Sequence, residues 1–270
     1  MFEFDFKQGK IPLLVSMPHS GLGLCEGLEE KLTDSAKSLP DTDWHIPRLY
    51  DFVSALGASV IKANYSRFVI DLNRPPDNQS LYPGQAGTGL CPVVLFSGEN
   101  LYLPGQQPTQ EEITNRLETY WQPYHDKLKN ELERIRSVHG YVILYDAHSI
   151  RSEVPRLFDN RLPDLNVGTV HQQSCAPAIS NAIRQQLETD NNYSYALNAR
   201  FVGGYITRHY GAPKENVHAI QMELSQLSYM DEESFTYLPE KADQLKQVLQ
   251  KVFSTLLNST TNMYNQDLGE

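Results

Sequence analysis

Short, nearly continuous apolar runs alternate along the chain with longer segments in which apolar residues recur every three or four positions, and this rhythm predicts an α/β sheet covered by helices. Ile11 to Met17 reads as a buried strand stopped by Pro18, and Val60-Ile61, Phe68-Val69-Ile70, Tyr141 to Tyr145 and His218 to Leu224 read in the same way. Over Asp43 to Gly57 the apolar positions Ile46, Leu49, Tyr50, Val53 and Leu56 follow helical spacing, with Gly57 as the stop. Thr109 and Glu112 form a capping box ahead of Ile113, Leu117, Trp121, Tyr124, Leu128, Leu132 and Ile135, a long helix that Pro123 is expected to kink or split. Pro239 opens a last helix with Leu245, Val248, Leu249, Val252 and Phe253 on its apolar face, after which Asn258 to Glu270 reads as a frayed polar tail. Between Pro75 and Gln107 a surface excursion rich in Pro, Gly and Asn carries one short strand candidate, Val93 to Phe96. No linker or repeat interrupts the pattern, so residues 1–270 are expected to form a single domain.

Composition narrows the class of partner. With 23 Lys and Arg against 33 Asp and Glu, the net charge of −10 sets the average surface against nucleic acid and anionic membranes, while leaving room for a local basic pocket. Glu3, Asp5 and Lys7 break any apolar core a leader peptide would need, and no apolar run approaches the roughly 20 residues that cross a bilayer. Cys25, Cys91 and Cys175 are widely spaced and form no C-x-x-C pair, as expected of reduced thiols in a cytoplasmic protein.

Candidate chemistry sits where the strands end, the place at which open α/β sheets collect ligands. His19, in Pro18-His19-Ser20-Gly21, follows the first strand, and His148, in Asp146-Ala147-His148-Ser149, follows another, so two imidazoles are delivered in the same topological manner. Alone, either reads as a turn histidine; together they raise the prospect of a metal site, whose third ligand is commonly a carboxylate. Asp43, at the start of the first helix, is the leading candidate, with Asp41 and Asp146 as alternatives or as partners that hold a histidine tautomer. Glu223 lies within the apolar run Ala219 to Leu224, where a carboxylate is costly unless used; its raised pKa would suit a general base. Asn73 and Arg74 close the Phe68 run as a donor cluster for a carboxylate, and Arg151, Arg156 and Arg208 lie in segments able to complete a cationic pocket.

These motifs, Met17 to Gly21, Asp41 to His45, Asp71 to Arg74, Asp146 to Arg151, Pro155 to Phe158, Gly204 to Thr207 and Gln221 to Leu224, run in order through a chain that resembles the N-formylglutamate amidohydrolase family. The resemblance implies a zinc-carboxypeptidase-like α/β fold, a three-layer sandwich in which helices cover a mixed central sheet. It also implies one Zn2+ held by His19, an acidic residue and His148, with Glu223 as general base and acid. Arg67 would polarise the scissile carbonyl, and Asn73 and Arg74 would bind a carboxylate of a small dianionic substrate. The implied reaction is hydrolysis of N-formyl-L-glutamate to formate and L-glutamate, the final step of a histidine degradation route. One departure from the carboxypeptidase pattern H-x-x-E is plain: Leu22 stands three residues after His19, so the acidic ligand comes from elsewhere, and Asp43 is preferred.

Other conspicuous residues have ordinary readings. Cys175 reads as a small packing residue at a helix start, Trp44 and Trp121 as core, His45, His125, His139 and His171 as helix-face, turn or loop residues, and Arg184 and Arg200 as solvated charges. His209, beside Arg208, is placed as a possible pocket residue. Two other functions share these features: a deacylase for a different N-acyl acidic amino acid, and a non-catalytic binding protein, which would have no need of Glu223.

Overall fold

A strand buried along its whole length must be covered on both faces, and Val142–Ile150, in which every residue is buried, is the centre on which the protein is built. The structure, a computed structural model, describes residues 2–81, 84, 86–190 and 192–266. Its strands β1 (Phe4–Lys7), β2 (Leu13–Met17), β3 (Ser59–Ala63), β4 (Val142–Ile150), β5 (Leu165–Gly168), β6 (Tyr195–Leu197) and β7 (Val217–Ser225) form one seven-stranded sheet in the order β1-β3-β2-β4-β7-β5-β6. The neighbours β3, β2, β4 and β7 are parallel, whereas β1 and β5 join them antiparallel. The helices are α1 (Asp34–Lys37), α2 (Ile46–Leu49), α3 (Phe52–Ala55), α4 (Gln110–Arg116), α5 (Gln122–His139), α6 (Pro177–Glu188), α7 (Tyr205–Tyr210) and α8 (Pro239–Gln266). A small hairpin, β8 (Met230–Asp231) with β9 (Thr236–Tyr237), precedes α8.

Alternation along the strands sorts the core into two layers. Val15, Tyr145, Ala147, Met222 and Leu224 face α2, α3, α6 and α8, while Leu14, Leu144 and Ala219 face α4, α5 and α7. The α/β three-layer sandwich with a mixed sheet is therefore the observed architecture. On the second face the apolar residues give way to polar ones toward the strand ends, Leu144 to Asp146 and His148 on β4, and Ala219 to Gln221 and Glu223 on β7. The same face that builds the core thus builds the site.

Several segments differ from the expectation. Phe68-Val69-Ile70 is buried but is a turn, because its backbone finds partners outside a ladder: Val69 N donates to Ser66 O (2.9 Å) and Val69 O accepts from Arg116 Nη1 (3.0 Å). Val93 to Phe96 forms no strand beyond a bridge of Val94 with Asn100. The helix expected over Asp43 to Gly57 is two four-residue helices, α2 and α3, and starts after Asp43, since His45 stands at φ 61°. The tail expected to fray from Asn258 is helical to Gln266, where Thr260 is buried against Leu256 O and Tyr264 stacks on Tyr141 at 4.3 Å; residues 267–270 lie outside the described residues.

The long helix is neither broken nor simply kinked at Pro123. The capping box of Thr109 and Glu112 starts α4, and a single π-turn, Leu117–Trp121, joins it to α5. Proline has no N–H to give, and a locally widened helix absorbs that loss without ending. The join also places Arg116, Trp121 and His125 along one line, where they donate to Val69 O (3.0 Å), Arg74 O (3.0 Å) and Leu72 O (2.9 Å). His125, read from the sequence as a helix-face residue, is thus a buried clamp on the segment that carries the site.

Burial pushes the His125 imidazole down to about 3, whereas in an unfolded chain it titrates near 6.5. As pH falls below about 6.5 the unfolded chain takes up a proton that the folded chain refuses, so the stability present above that pH is lost on acidification. Between pH 7 and pH 5 this linkage is worth about 2 kcal/mol. Urea unfolding of His125→Gln should therefore depend on pH less steeply than wild type by about that amount; parallel pH profiles would show that His125 is not the group concerned.

Candidate metal centre and catalytic cavity

Local chain geometry brings the donors together. His19 leaves β2 at Pro18, Asp43 N donates to His19 O (3.0 Å) and so ties the approach to α2 against that turn, and His148 projects from β4. Asp43 Oδ2 lies 3.0 Å from His148 Nδ1 and 3.7 Å from His19 Nδ1, and the two rings are 4.8 Å apart. His19, Asp43 and His148 offer three ligand atoms within 4.8 Å of one another, all buried. Asp146 and Asp41, the alternative third ligands, are placed elsewhere: Asp146 on the far nitrogen of His148, and Asp41 accepting from Phe96 N (2.9 Å) beside a neighbouring hollow.

The far nitrogens explain why the near ones converge. His19 Nε2 donates to Asp71 Oδ1 (2.6 Å) and His148 Nε2 donates to Asp146 Oδ2 (2.9 Å), so each imidazole is turned by a buried carboxylate to present Nδ1 inward. Arg67 Nη2 donates to His19 Nδ1, which fixes that atom as the lone-pair side of the ring. Burial and the charge of Arg67 hold the His19 imidazole below its ordinary value, against the pull of Asp71. For His148 burial acts downward too, but Asp146 and Asp43 outweigh it and hold the ring well above its ordinary value. Two imidazole nitrogens, each with a hydrogen-bonded carboxylate behind it, and one further carboxylate suit a borderline-soft divalent cation, and this group can hold a metal ion.

Asn73 is the joint of the site. Its Nδ2 donates to Asp146 Oδ2 (3.2 Å), its Oδ1 accepts from Ile206 N at the start of α7 (2.8 Å), and its own N–H donates to Asp71 Oδ1 (2.9 Å). Gly204 is required beside it, since a Cβ there would stand 2.3 Å from Asn73 Nδ2. Asn73 lines the cavity, yet its amide is committed to these supports.

Glu223 is the cross-strand neighbour of His148, is 7% exposed, and accepts from Gln221 Nε2 (3.2 Å). Burial pushes its carboxyl up to about 8, with His148 and Arg67 pulling the other way. It opens on a cavity whose wall includes His19, His148, Arg67 and Arg74. Arg67, 7% exposed, lies beside Asp71 Oδ2 (3.6 Å) and over the Phe96 ring (5.0 Å).

The remaining arginines fall differently. Arg151 pairs with Glu233 and Arg156 donates to Gly87 O (3.1 Å); both border the neighbouring hollow, and neither is on the cavity wall. Arg208 donates to Gly203 O (2.8 Å) and is off that wall too, as is His209, which stacks on Tyr205 (4.8 Å). Arg200, read from the sequence as a solvated charge, is half-buried on the cavity wall. Asp71 is a functional residue beyond the expected set, and its signal in the sequence is that of a carboxylate closing the apolar run Phe68-Val69-Ile70. Cys175 is packed in the core as expected, with burial pushing its thiol up to about 12.

A parallel-centred α/β sheet with a buried His-Asp-His donor set, a buried carboxylate and an arginine-lined cavity at the strand ends defines an enzyme of the amidohydrolase class. The chain belongs to the N-formylglutamate amidohydrolase family, whose profile matches residues 11–230. It is 52% identical over 254 residues to the N-formylglutamate deformylase of Pseudomonas putida, spanning 94% of this chain and 95% of the relative. It is 49% identical to the N-formylglutamate deformylase of Pseudomonas aeruginosa, with the same 94% and 95% coverage. Among solved structures, the N-formylglutamate amidohydrolase of Ralstonia eutropha matches with a TM-score of 0.80 at 22% identity, over 96% of this chain and 97% of that one. A gene product from Agrobacterium tumefaciens matches with a TM-score of 0.70 at 17% identity, over 95% and 96%. At those identities the likeness is one of fold. Among the described residues no helix is long and apolar enough to cross a membrane.

Removing either imidazole should empty the centre: His19→Ala and His148→Ala, folded by circular dichroism, are expected to carry no zinc by elemental analysis. Asp71→Asn and Asp146→Asn should keep the ligands but weaken zinc by about tenfold or more in a chelator competition. Unchanged affinity in both would show that these carboxylates do not orient the rings.

Proposed function

We propose that this chain is a zinc-dependent, cytoplasmic amidohydrolase that cleaves N-formyl-L-glutamate to formate and L-glutamate, the final step of a histidine degradation route. Family membership and two deformylases of about half identity support the substrate. The observation that carries the chemistry is Glu223, a buried carboxyl one strand away from His148 and open to the cavity.

His19, Asp43 and His148 would hold the ion through Nδ1, a carboxylate oxygen and Nδ1. A divalent cation bound there supplies Lewis-acid activation of water and of the formyl oxygen. Glu223 takes a proton from the attacking water as its oxygen bonds to the formyl carbon, and returns it to the nitrogen as the C–N bond breaks, giving formate and a free amine. A carboxylate already raised by burial is suited to both halves of this exchange, since it binds the proton readily and still releases it. Arg67, whose Nη2 is released from His19 Nδ1 when that lone pair is given to the ion, would donate to the oxygen on which negative charge develops, with Asp71 and the face of Phe96 beside it. Arg74 binds substrate carboxylate, while Asn73 acts by positioning Asp146, Asp71 and α7 and makes no demand on the substrate. Arg151, Arg156 and Arg208 take no part in this reading, because none lines the cavity.

Glu223→Gln keeps the shape of the side chain and removes its basicity, so turnover of N-formylglutamate should fall by roughly 10²-fold or more with zinc content unchanged. Near-normal turnover would overturn the base assignment. Loss of zinc along with activity would instead make Glu223 a ligand.

A further inference from the structure

A dianion needs two cationic contacts at different distances from the reacting carbon, and the cavity wall carries two arginines, Arg74 and Arg200, together with His19, His148 and Glu223. Arg74 is adjacent in sequence to Asn73, whose Nδ2 lies 3.0 Å from His148 Nε2, which ties it to the donor end of the cavity. The Arg74 guanidinium is braced by three acceptors, Thr88 O (2.9 Å), Thr88 Oγ1 (3.3 Å) and Asn73 O (3.2 Å). The cavity wall then turns apolar at Phe96, Ile150 and Leu157, which belong to a satellite cluster separate from the two main core layers. Arg200 stands on that cluster: its Nε donates to Leu157 O (2.7 Å) and its guanidinium lies 5.2 Å from the Phe201 ring centre. A base, an arginine tied to the donor end, an apolar band and a second arginine on that band match the amide, α-carboxylate, methylenes and side-chain carboxylate of an N-acylglutamate.

We propose that Arg200 is the specificity residue that binds the side-chain carboxylate of the substrate, with Arg74 binding the α-carboxylate. The inference rests on the reading of the cavity as an N-formylglutamate site and assigns within it a residue that nothing else identifies. A guanidinium fixed by a backbone carbonyl and a ring pairs with a carboxylate in a planar fork, and an amide in the same place leaves it poorly partnered.

The test compares N-formylglutamate with N-formylglutamine, which differ at the side-chain carboxylate and share the α-carboxylate. Arg200→Gln should lower kcat/KM for N-formylglutamate at least tenfold more than for N-formylglutamine, through KM, and Arg200→Lys should recover part of the difference. Arg74→Gln should lower both substrates by similar factors. Calorimetric binding of the same two compounds to zinc-loaded Glu223→Gln protein, with and without Arg200→Gln, reads the discrimination without turnover. Equal losses on both compounds, or none, would overturn the role of Arg200. If wild-type protein releases no formate from N-formylglutamate, the functional reading falls separately, and the binding ratio still decides whether Arg200 recognises a carboxylate.

Discussion

Four carboxyl groups, Asp43, Asp71, Asp146 and Glu223, are buried at one end of one sheet, and the rest of the site follows from how that charge is tolerated. An isolated buried carboxylate is too costly to keep ionised, so each must be paired, hydrogen-bonded or protonated. Asp71 and Asp146 are matched to the outer nitrogens of His19 and His148, and Asp43 lies between the inner ones. Glu223 has Gln221 as its side-chain partner and, among the described residues, no imidazole or guanidinium in hydrogen-bond contact, and burial pushes its carboxyl up into the range of a proton carrier. Similar side chains in one environment are thereby divided into supports, ligand and base by their neighbours.

The supports are themselves held from the helical layer. Asp71, Asn73 and Arg74 occupy a segment without regular secondary structure, whose carbonyls at Val69, Leu72 and Arg74 are taken by side chains of the long helix. These contacts restrain the loop from which the Arg74 guanidinium extends. They also tie the site to the core, because Trp121 and His125 stack on each other at 3.8 Å within the same packed layer.

Much of this was legible in the sequence for one reason: strand alternation and strand ends are local. The two histidines and Glu223 are marked by apolar runs that end in, or contain, a group too polar for them, whereas Asp43 is marked by its place at a helix start and Arg67 by the family resemblance. Asp71 bears the same mark as Glu223. Arg200 does not, because what makes it part of the cavity is the folding of residues 157 and 201 beneath it, a contact with no local pattern. The reverse error has the same origin. Arg151, Arg156 and Arg208 sit close in sequence to site motifs, but adjacency along the chain does not fix which hollow a long side chain enters. Phe68-Val69-Ile70 misleads because apolar sequence reports burial, and a buried turn is as apolar as a buried strand.

The π-turn between α4 and α5 makes room for one residue more than an ordinary helix could carry. In an unbroken α-helix five residues advance about 500°, which would leave Arg116 about 140° out of line with Trp121. The widened turn takes up the excess, and Arg116, Trp121 and His125 all reach carbonyls of the one segment they hold. With one residue fewer an α-helix would serve as well, since four residues advance about 400° and leave a phase difference of about 40°. The turn thus stores slack in chain length: the helix can be shortened here by one residue while its grip on the site segment is kept.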